Sequence, residues 1–245
     1  MPGLFTHGRV TVAAVAVALA AGAGVTAAAV SMPSSAHVVT VATAGRTRAA
    51  LEVTSGTPVL DISVARLRGT LLRASTPGTA PVRPVLSVLS GSSPVVLSLA
   101  GDRPAPGRSA GYAVSVVLNS AVTWSLDLAG GTQRTDVDLR GGHVGAIAVT
   151  AGSDILDVSL PRPAGTMPFL FAGGAAQFSL SLPGGVAARV TADGGAAFLT
   201  VEGESLTGVA GGTVVATPGW ATAAARVDVQ ATAGVSRLAV TEWEG

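Results

Sequence analysis

From residue 37 onward apolar and polar side chains alternate in short runs. In Asp136-Val137-Asp138-Leu139 the Val and Leu share one face and the two Asp the other, which is the two-residue period of a β-strand. Strand-length apolar or alternating runs recur at 38–41, 50–53, 59–64, 85–89, 95–99 and 112–118, each bounded by Gly, Pro or Ser. The three-and-four spacing of an amphipathic helix is missing. The run RLRGTLLR at 66–73 is broken by Gly69, and TAAAR at 222–226 suffices for one turn. The pattern predicts an all-β region.

Past residue 121 the punctuation becomes regular. Glycines fall at 130/131, 141/142, 152, 173/174, 184/185, 194/195, 208 and 219, and Pro161, Pro163 and Gly165 fill the one missing step. The spacing is close to 11, with strands expected at 124–128, 136–139, 147–149, 156–160, 178–182, 189–191 and 198–201. A strand-plus-turn unit at fixed period predicts a β-solenoid over 111–245, in which each unit buries its apolar face on the next. A β-sandwich, which also turns every ~8–12 residues, is the alternative. The stretches 75–81 and 101–108 read as loops, and the second marks a domain boundary. Three parts follow: 1–36, 37–110 and 111–245.

The first part breaks the pattern. Residues 10–30 carry no charge, and Arg9 precedes them. Such a run reads as an apolar helix, either a signal peptide or a retained membrane anchor. Small residues at 27–29 and 34–36 provide cleavage positions. Both readings put the remainder outside the cytoplasm, anchored to the membrane or secreted after cleavage.

Composition narrows the chemistry. Aromatics make up 4% and charged residues 12% of the 245 residues, every basic residue is Arg, and Cys is absent. Lysine nucleophiles, P-loop lysines, disulfides and thiolate metal sites are thereby excluded. Beyond residue 36 the 14 Arg balance 14 acids and are scattered from Arg46 to Arg237, so nucleic-acid binding is not expected. Neutrality and open solenoid ends point to self-association.

Few residues invite a catalytic reading. Gly107-Arg108-Ser109-Ala110-Gly111 matches the nucleophile-elbow pattern, followed in order by Asp127, Asp136 or Asp138 and then His143. That motif needs a strand before it and a helix after it, whereas a Pro-rich loop precedes and a strand follows. Asp136 and Asp138 lie on one side of a strand, roughly 7 Å apart, a spacing compatible with a glycosidase pair, but an outward Asp-x-Asp is also an ordinary solvated face. Asp154 and Asp157, at odd spacing, face opposite ways on a regular strand. His143 lacks partners for a metal site. Trp124, Trp220 and Trp243 are expected to cap open ends of the core. Trp124 and Trp220 are also the candidate ligand-binding residues, as stacking platforms for sugar.

The runs Leu126-Asp127-Leu128-Ala129-Gly130-Gly131, Thr135-Asp136-Val137-Asp138-Leu139-Arg140-Gly141-Gly142 and Leu180-Ser181-Leu182-Pro183-Gly184-Gly185 resemble adhesin-type β-solenoid domains of bacterial, actinobacterial-like envelope proteins. The C-terminal domains of some envelope-stress regulators are also similar. The resemblance covers residues 121–243 and implies a non-enzymatic surface or sensing role, with no catalytic residues to carry over. The expectation is an extracytoplasmic, non-catalytic interaction or sensing module with neither metal nor cofactor. Residues 10–30 would meet the cytoplasmic membrane, and cell-wall glycan or envelope proteins would be the partners. A carbohydrate-binding module and a polysaccharide-active hydrolase are the alternatives.

Overall fold

The computed structural model describes residues 36–88, 94–101 and 111–243. The apolar run 10–30 and Ser109 lie outside the described residues. Within them every regular element is a strand, and no helix is long and apolar enough to cross a membrane. The first six strands are β1 (His37–Ala42), β2 (Arg48–Val53), β3 (Thr57–Ala65), β4 (Thr70–Thr76), β5 (Val82–Val88) and β6 (Val95–Gly101). Then come β7 (Ala113–Asn119), β8 (Thr123–Leu128), β9 (Thr132–Asp138), β10 (His143–Val149), β11 (Ser153–Ser159), β12 (Thr166–Phe171) and β13 (Ala175–Pro183). The last six are β14 (Ala187–Ala192), β15 (Ala196–Val201), β16 (Glu204–Val209), β17 (Thr213–Ala216), β18 (Arg226–Ala231) and β19 (Val235–Trp243). The all-β expectation holds.

The strands form two mixed sheets. Sheet A has ten strands in the order β1-β4-β7-β3-β9-β11-β13-β19-β15-β16, and sheet B nine in the order β17-β14-β18-β12-β10-β8-β2-β6-β5. From β8 to β13 the chain alternates between them, and each strand lies parallel to the one two before it. One strand of B followed by one of A makes a rung. Leu126 pairs with Ile147 and Ile147 with Phe169, steps of 21 and 22 residues. The 11-residue glycine spacing is therefore half a rung, one corner to the next.

Seven such rungs run parallel through the middle, and antiparallel strands close both ends. Rung order departs from sequence order. The β18–β19 rung lies between β12–β13 and β14–β15, and the β2–β3 rung between β6–β7 and β8–β9. Residues 37–110 and 111–245 thus share both sheets, and contacts group Ser34–Gly245 as one compact unit. The boundary expected at 101–108 does not divide it.

Alternation sends one side of each strand inward, where like positions stack. Leu51, Leu126, Ile147, Phe169, Val229 and Val190 form one ladder in sheet B. Leu60, Thr135, Leu156, Phe178, Leu238 and Leu199 form its counterpart in sheet A. All are buried. Across the core between the sheets Phe178 stacks between Phe169 and Phe171, with centroids 5.2 and 5.0 Å away. Thr135 interrupts its apolar ladder without an unpaired hydroxyl, since its Oγ1 lies 2.6 Å from that of Thr132.

Corners from sheet B to sheet A explain the glycines. In six of the seven rungs the last two residues of this crossing are small, and the second is glycine, at 56, 131, 152, 174, 195 and 234. The first alternates in spatial order: Ser55, Gly130, Ala151, Gly173, Ala233, Gly194. A Cβ on Gly130 would collide with the Ser55 carbonyl, one on Gly173 with the Ala151 carbonyl, and one on Gly194 with Ala233. Gly184, by contrast, faces open space. Gly173→Ala is therefore expected to lower stability by about 1–3 kcal/mol through forced separation of two rungs, read as a reduced urea midpoint. Gly184→Ala should leave the midpoint within about 0.5 kcal/mol of the parent.

Candidate functional site

The outward side chains fall into rows as regular as the inward ladders, because the register is in phase across parallel strands. On sheet A the row Ser115, Asp61, Asp136, Asp157 and Ser179 crosses five strands. Beside it lie Ser63, Asp138, Ser159 and Ser181. Neighbouring side chains in a row are about 4.8 Å apart, so like charges feel each other. Burial pushes the Asp61 carboxyl above its ordinary value, Asp136 adds to the rise, and Arg134 opposes it. Arg134 reaches across two strands, with its guanidinium 2.7 Å from Asp157 Oδ2 and 3.6 Å from Asp136 Oδ2.

Asp138 is differently placed. Arg140 Nε and Nη2 donate to its two carboxylate oxygens at 2.9 and 2.6 Å, and this fork holds its carboxyl below the usual range. Asp136 and Asp138 do point to one side, as the alternation predicts, but each already faces an arginine. Asp154 and Asp157 depart from the expectation for a regular strand. The ladder pairs Ser153 and Ile155 with neighbours while skipping Asp154, and neither carboxylate enters the core. His143 is exposed at the start of β10, and among the described residues no group of three His, Cys, Asp or Glu can hold a metal.

The tryptophans take other places than the alternation and turns lead one to expect. Trp124 is fully buried in β8, and its indole N–H donates to the Asn119 carbonyl at 3.0 Å, so no sugar ring can stack on it. The Asn119 amide in turn donates to the Leu67 and Thr70 carbonyls at 2.6 and 2.7 Å, tying the β3–β4 turn to the β7–β8 turn. Trp220 lies half-buried in the loop before β18. Arg189 and Arg226 place their guanidinium carbons 4.9 and 5.5 Å from its ring centre, a cation–π arrangement. Arg189 also forks onto Asp228 at 2.9 and 2.6 Å. Trp220 thus fastens its loop to the outer face of sheet B. Trp243 sits on β19, inside the strand order, and donates to the Leu160 carbonyl at 3.3 Å. None caps an end. Antiparallel strands do that instead.

A groove was not legible in the sequence. On sheet B a space of 580 Å³ lies beside the 163–165 loop, lined by Arg48, Ala50, Thr123, Ser125, Gly145 and Thr166. Gly145 is the extra residue of a bulge between Val144 and Ala146, and such bulges bend a strand and re-aim its side chains. The signal for it was a break in alternation at His143-Val144-Gly145-Ala146.

The carboxylates yield a pH test with opposite signs. Folding raises the Asp61 pKa, so ionising it costs more in the folded chain, and stability falls as pH rises from the unfolded value of about 3.9 through the folded one. Asp61→Asn should raise the urea midpoint at about pH 7 and leave it unchanged at about pH 3. Folding lowers the Asp138 pKa, so its contribution is present above the unfolded value and lost as pH falls through the folded one. Asp138→Asn should lower the midpoint at neutral pH, and the difference should fade in acid. Shifts of the same sign for both variants would contradict the assigned environments.

Comparison with known proteins places the fold. No family model matches the chain, and no curated protein matches it. Among solved structures, a candidate cell adhesion protein from Clostridium sporogenes superposes with a TM-score of 0.65 at 13% identity, over 86% of this chain and all of that one. A candidate adhesin from Bacteroides fragilis aligns over 84% of this chain and 96% of that one at 7% identity, with a TM-score of 0.21, too low to support an argument. At 86% of this chain, the likeness to the Clostridium protein is not confined to residues 121–243. At this identity what the two chains share is the fold.

Proposed function

We propose that the chain is an extracytoplasmic, non-catalytic interaction module of a bacterial cell envelope, built as a two-sheet β-solenoid with hairpin caps. The observation that carries this reading is the in-register display of polar rows on the outer faces. Serines and paired carboxylates repeat there at the strand spacing, an arrangement suited to binding an extended partner at many weak points. The fold it shares with a candidate cell adhesion protein is consistent with that use. The clamp of Arg140 on Asp138 weighs against an acid–base pair on this face, because a general acid needs its proton near working pH. Residues 10–30 would deliver the module across the membrane and hold it there if retained.

The groove beside Arg48 supports a second reading, a cell-wall carbohydrate site. Hydroxyls of Thr123, Ser125 and Thr166 with one guanidinium are groups that hydrogen-bond sugar hydroxyls and acidic sugars. This reading moves the ligand away from Trp124 and Trp220.

Co-sedimentation with isolated bacterial cell walls tests both. The full chain should pellet with the walls and release no reducing ends. The double variant Asp61→Asn with Asp157→Asn should weaken pelleting if the sheet A rows bind, and Arg48→Ala should weaken it if the groove does. Hydrolysis of a wall polymer, lost on Asp136→Asn or Asp138→Asn, would overturn the non-catalytic reading.

A further inference from the structure

The two ends of the rung stack differ in charge. Strands β1 to β7 occupy one end, and β14 to β19 the other. Residues 36–101 carry six Arg against two acids, whereas residues 187–243, which hold β14 to β19, carry three Arg against five acids. Arginines scattered along the sequence therefore leave the β1/β5 end with a basic excess.

The same end has an incompletely covered core. Val39, Val41 and Leu86 pack against the core yet remain half-buried. Val38, Val85 and Val88 are 51%, 36% and 40% exposed, three of the five exposed large apolar residues among those described. Strands β1 and β5 are the sheet edges here, and a groove of 730 Å³ runs along them past Val39, Val41, Pro84 and Val88. Arg73 on β4 and Arg83 on β5 are exposed beside it. An apolar patch rimmed by cations suits a partner that is apolar within and anionic at its surface. A bilayer with acidic headgroups has that profile.

Chain connectivity points the same way. The uncharged run ends at Val30 and β1 begins at His37, with six residues between. Six extended residues reach about 20 Å, so an inserted run would keep the basic end near the bilayer.

We propose that the β1/β5 end is a membrane-docking face, with Val38, Val85 and Val88 entering the headgroup layer of an anionic bilayer and Arg73 and Arg83 meeting lipid phosphates. The inference rests on the proposed membrane attachment and adds which face of the β region meets the lipid.

The chain contains no Cys, so one introduced thiol can carry an environment-sensitive dye. Full-length Val85→Cys, Val88→Cys and Val214→Cys proteins would be reconstituted into phosphatidylcholine vesicles with or without about one-third phosphatidylglycerol, with a headgroup-level quencher. Dyes at 85 and 88 should be blue-shifted and quenched at least about twofold more in anionic vesicles than the dye at 214, which marks the opposite end. Arg73→Glu combined with Arg83→Glu, or about 0.5 M salt, should remove that difference. Equal quenching at both ends, or quenching at 85 indifferent to lipid charge and to the double variant, overturns the proposal. Energy transfer between copies labelled at 85 and 214 without lipid quenching would also overturn it, in favour of head-to-tail contact between the basic end and the acidic end. Vesicle flotation separates the two levels. A chain that floats with an unquenched dye at 85 refutes the docking face and keeps the attachment, while a chain that does not float refutes both.

Discussion

The closest constraint in the structure is the passage of one rung over the next at the corners. Neighbouring strands lie about 4.8 Å apart, and the backbone must hold that distance where the chain turns from sheet B to sheet A. The alternation Ser55, Gly130, Ala151, Gly173, Ala233, Gly194 meets this need. A residue with a side chain always stacks on one without, and the colliding Cβ positions fall on the glycine side of each pair. With the corners in contact, the strands on either side share one register. That register aligns Leu51 through Val190 inside and Asp61, Asp136 and Asp157 outside. Core ladder and charged surface are two consequences of the same close approach.

The parts legible in the sequence are those set locally. Alternation at 136–139 correctly places Val137 inside and both aspartates outside, since the period of a strand leaves no other arrangement. Glycine spacing near 11 reports the corners correctly from 130 to 195. It then runs on through Gly208 within β16 and Gly219 beyond β17, where the chain makes antiparallel caps instead of rungs. Glycine marks the need for a tight or left-handed turn, as at Gly203, Gly212 and Gly219 with positive φ, and a hairpin needs it as much as a coil corner does. Strand pairing is the less legible part. Nothing in the spacing says that β19 pairs with β13 and β15 together, because that choice depends on which apolar edge is free when the strand arrives.

The site followed the same division. That Asp136 and Asp138 share a face was readable. That Arg134 spans from Asp136 to Asp157 was not, since the contact joins residues 23 apart through rung register. The sequence leads to the expectation that Trp124 caps an open end of the core or serves as a stacking platform for sugar, and the structure shows neither, since the indole is fully buried. Its place in the Leu51–Val53 side of the core was nonetheless implicit in Val122, Trp124, Leu126 and Leu128, four alternate positions that are all buried. The charge polarity is hidden in the sequence, because an overall balance of charge conceals the basic excess of residues 36–101, which the fold gathers toward the β1/β5 end.

The order of segments at the two ends follows one plan in reverse. At the start, after the edge strand β1, the chain makes the interior rung β2–β3, then cap strands β4 and β5, then the terminal rung β6–β7. At the finish it makes the terminal rung β14–β15, then cap strands β16 and β17, then the interior rung β18–β19. Each terminal rung is bonded to an antiparallel strand on its outer side, which ends the parallel stacking of rungs. Placing β4, β5, β16 and β17 within the chain, between two rungs, also tethers them covalently on both sides. A cap at the extreme terminus would have one tether and would fray more readily. The cost is long-range closure. The β18–β19 rung has to enter a slot whose walls, β12–β13 and β14–β15, precede it by tens of residues, and closure entropy grows only slowly with such separations. The arrangement therefore gains doubly tethered caps for a modest entropic penalty, and it makes the last two strands completing elements of the core instead of an appendage to it.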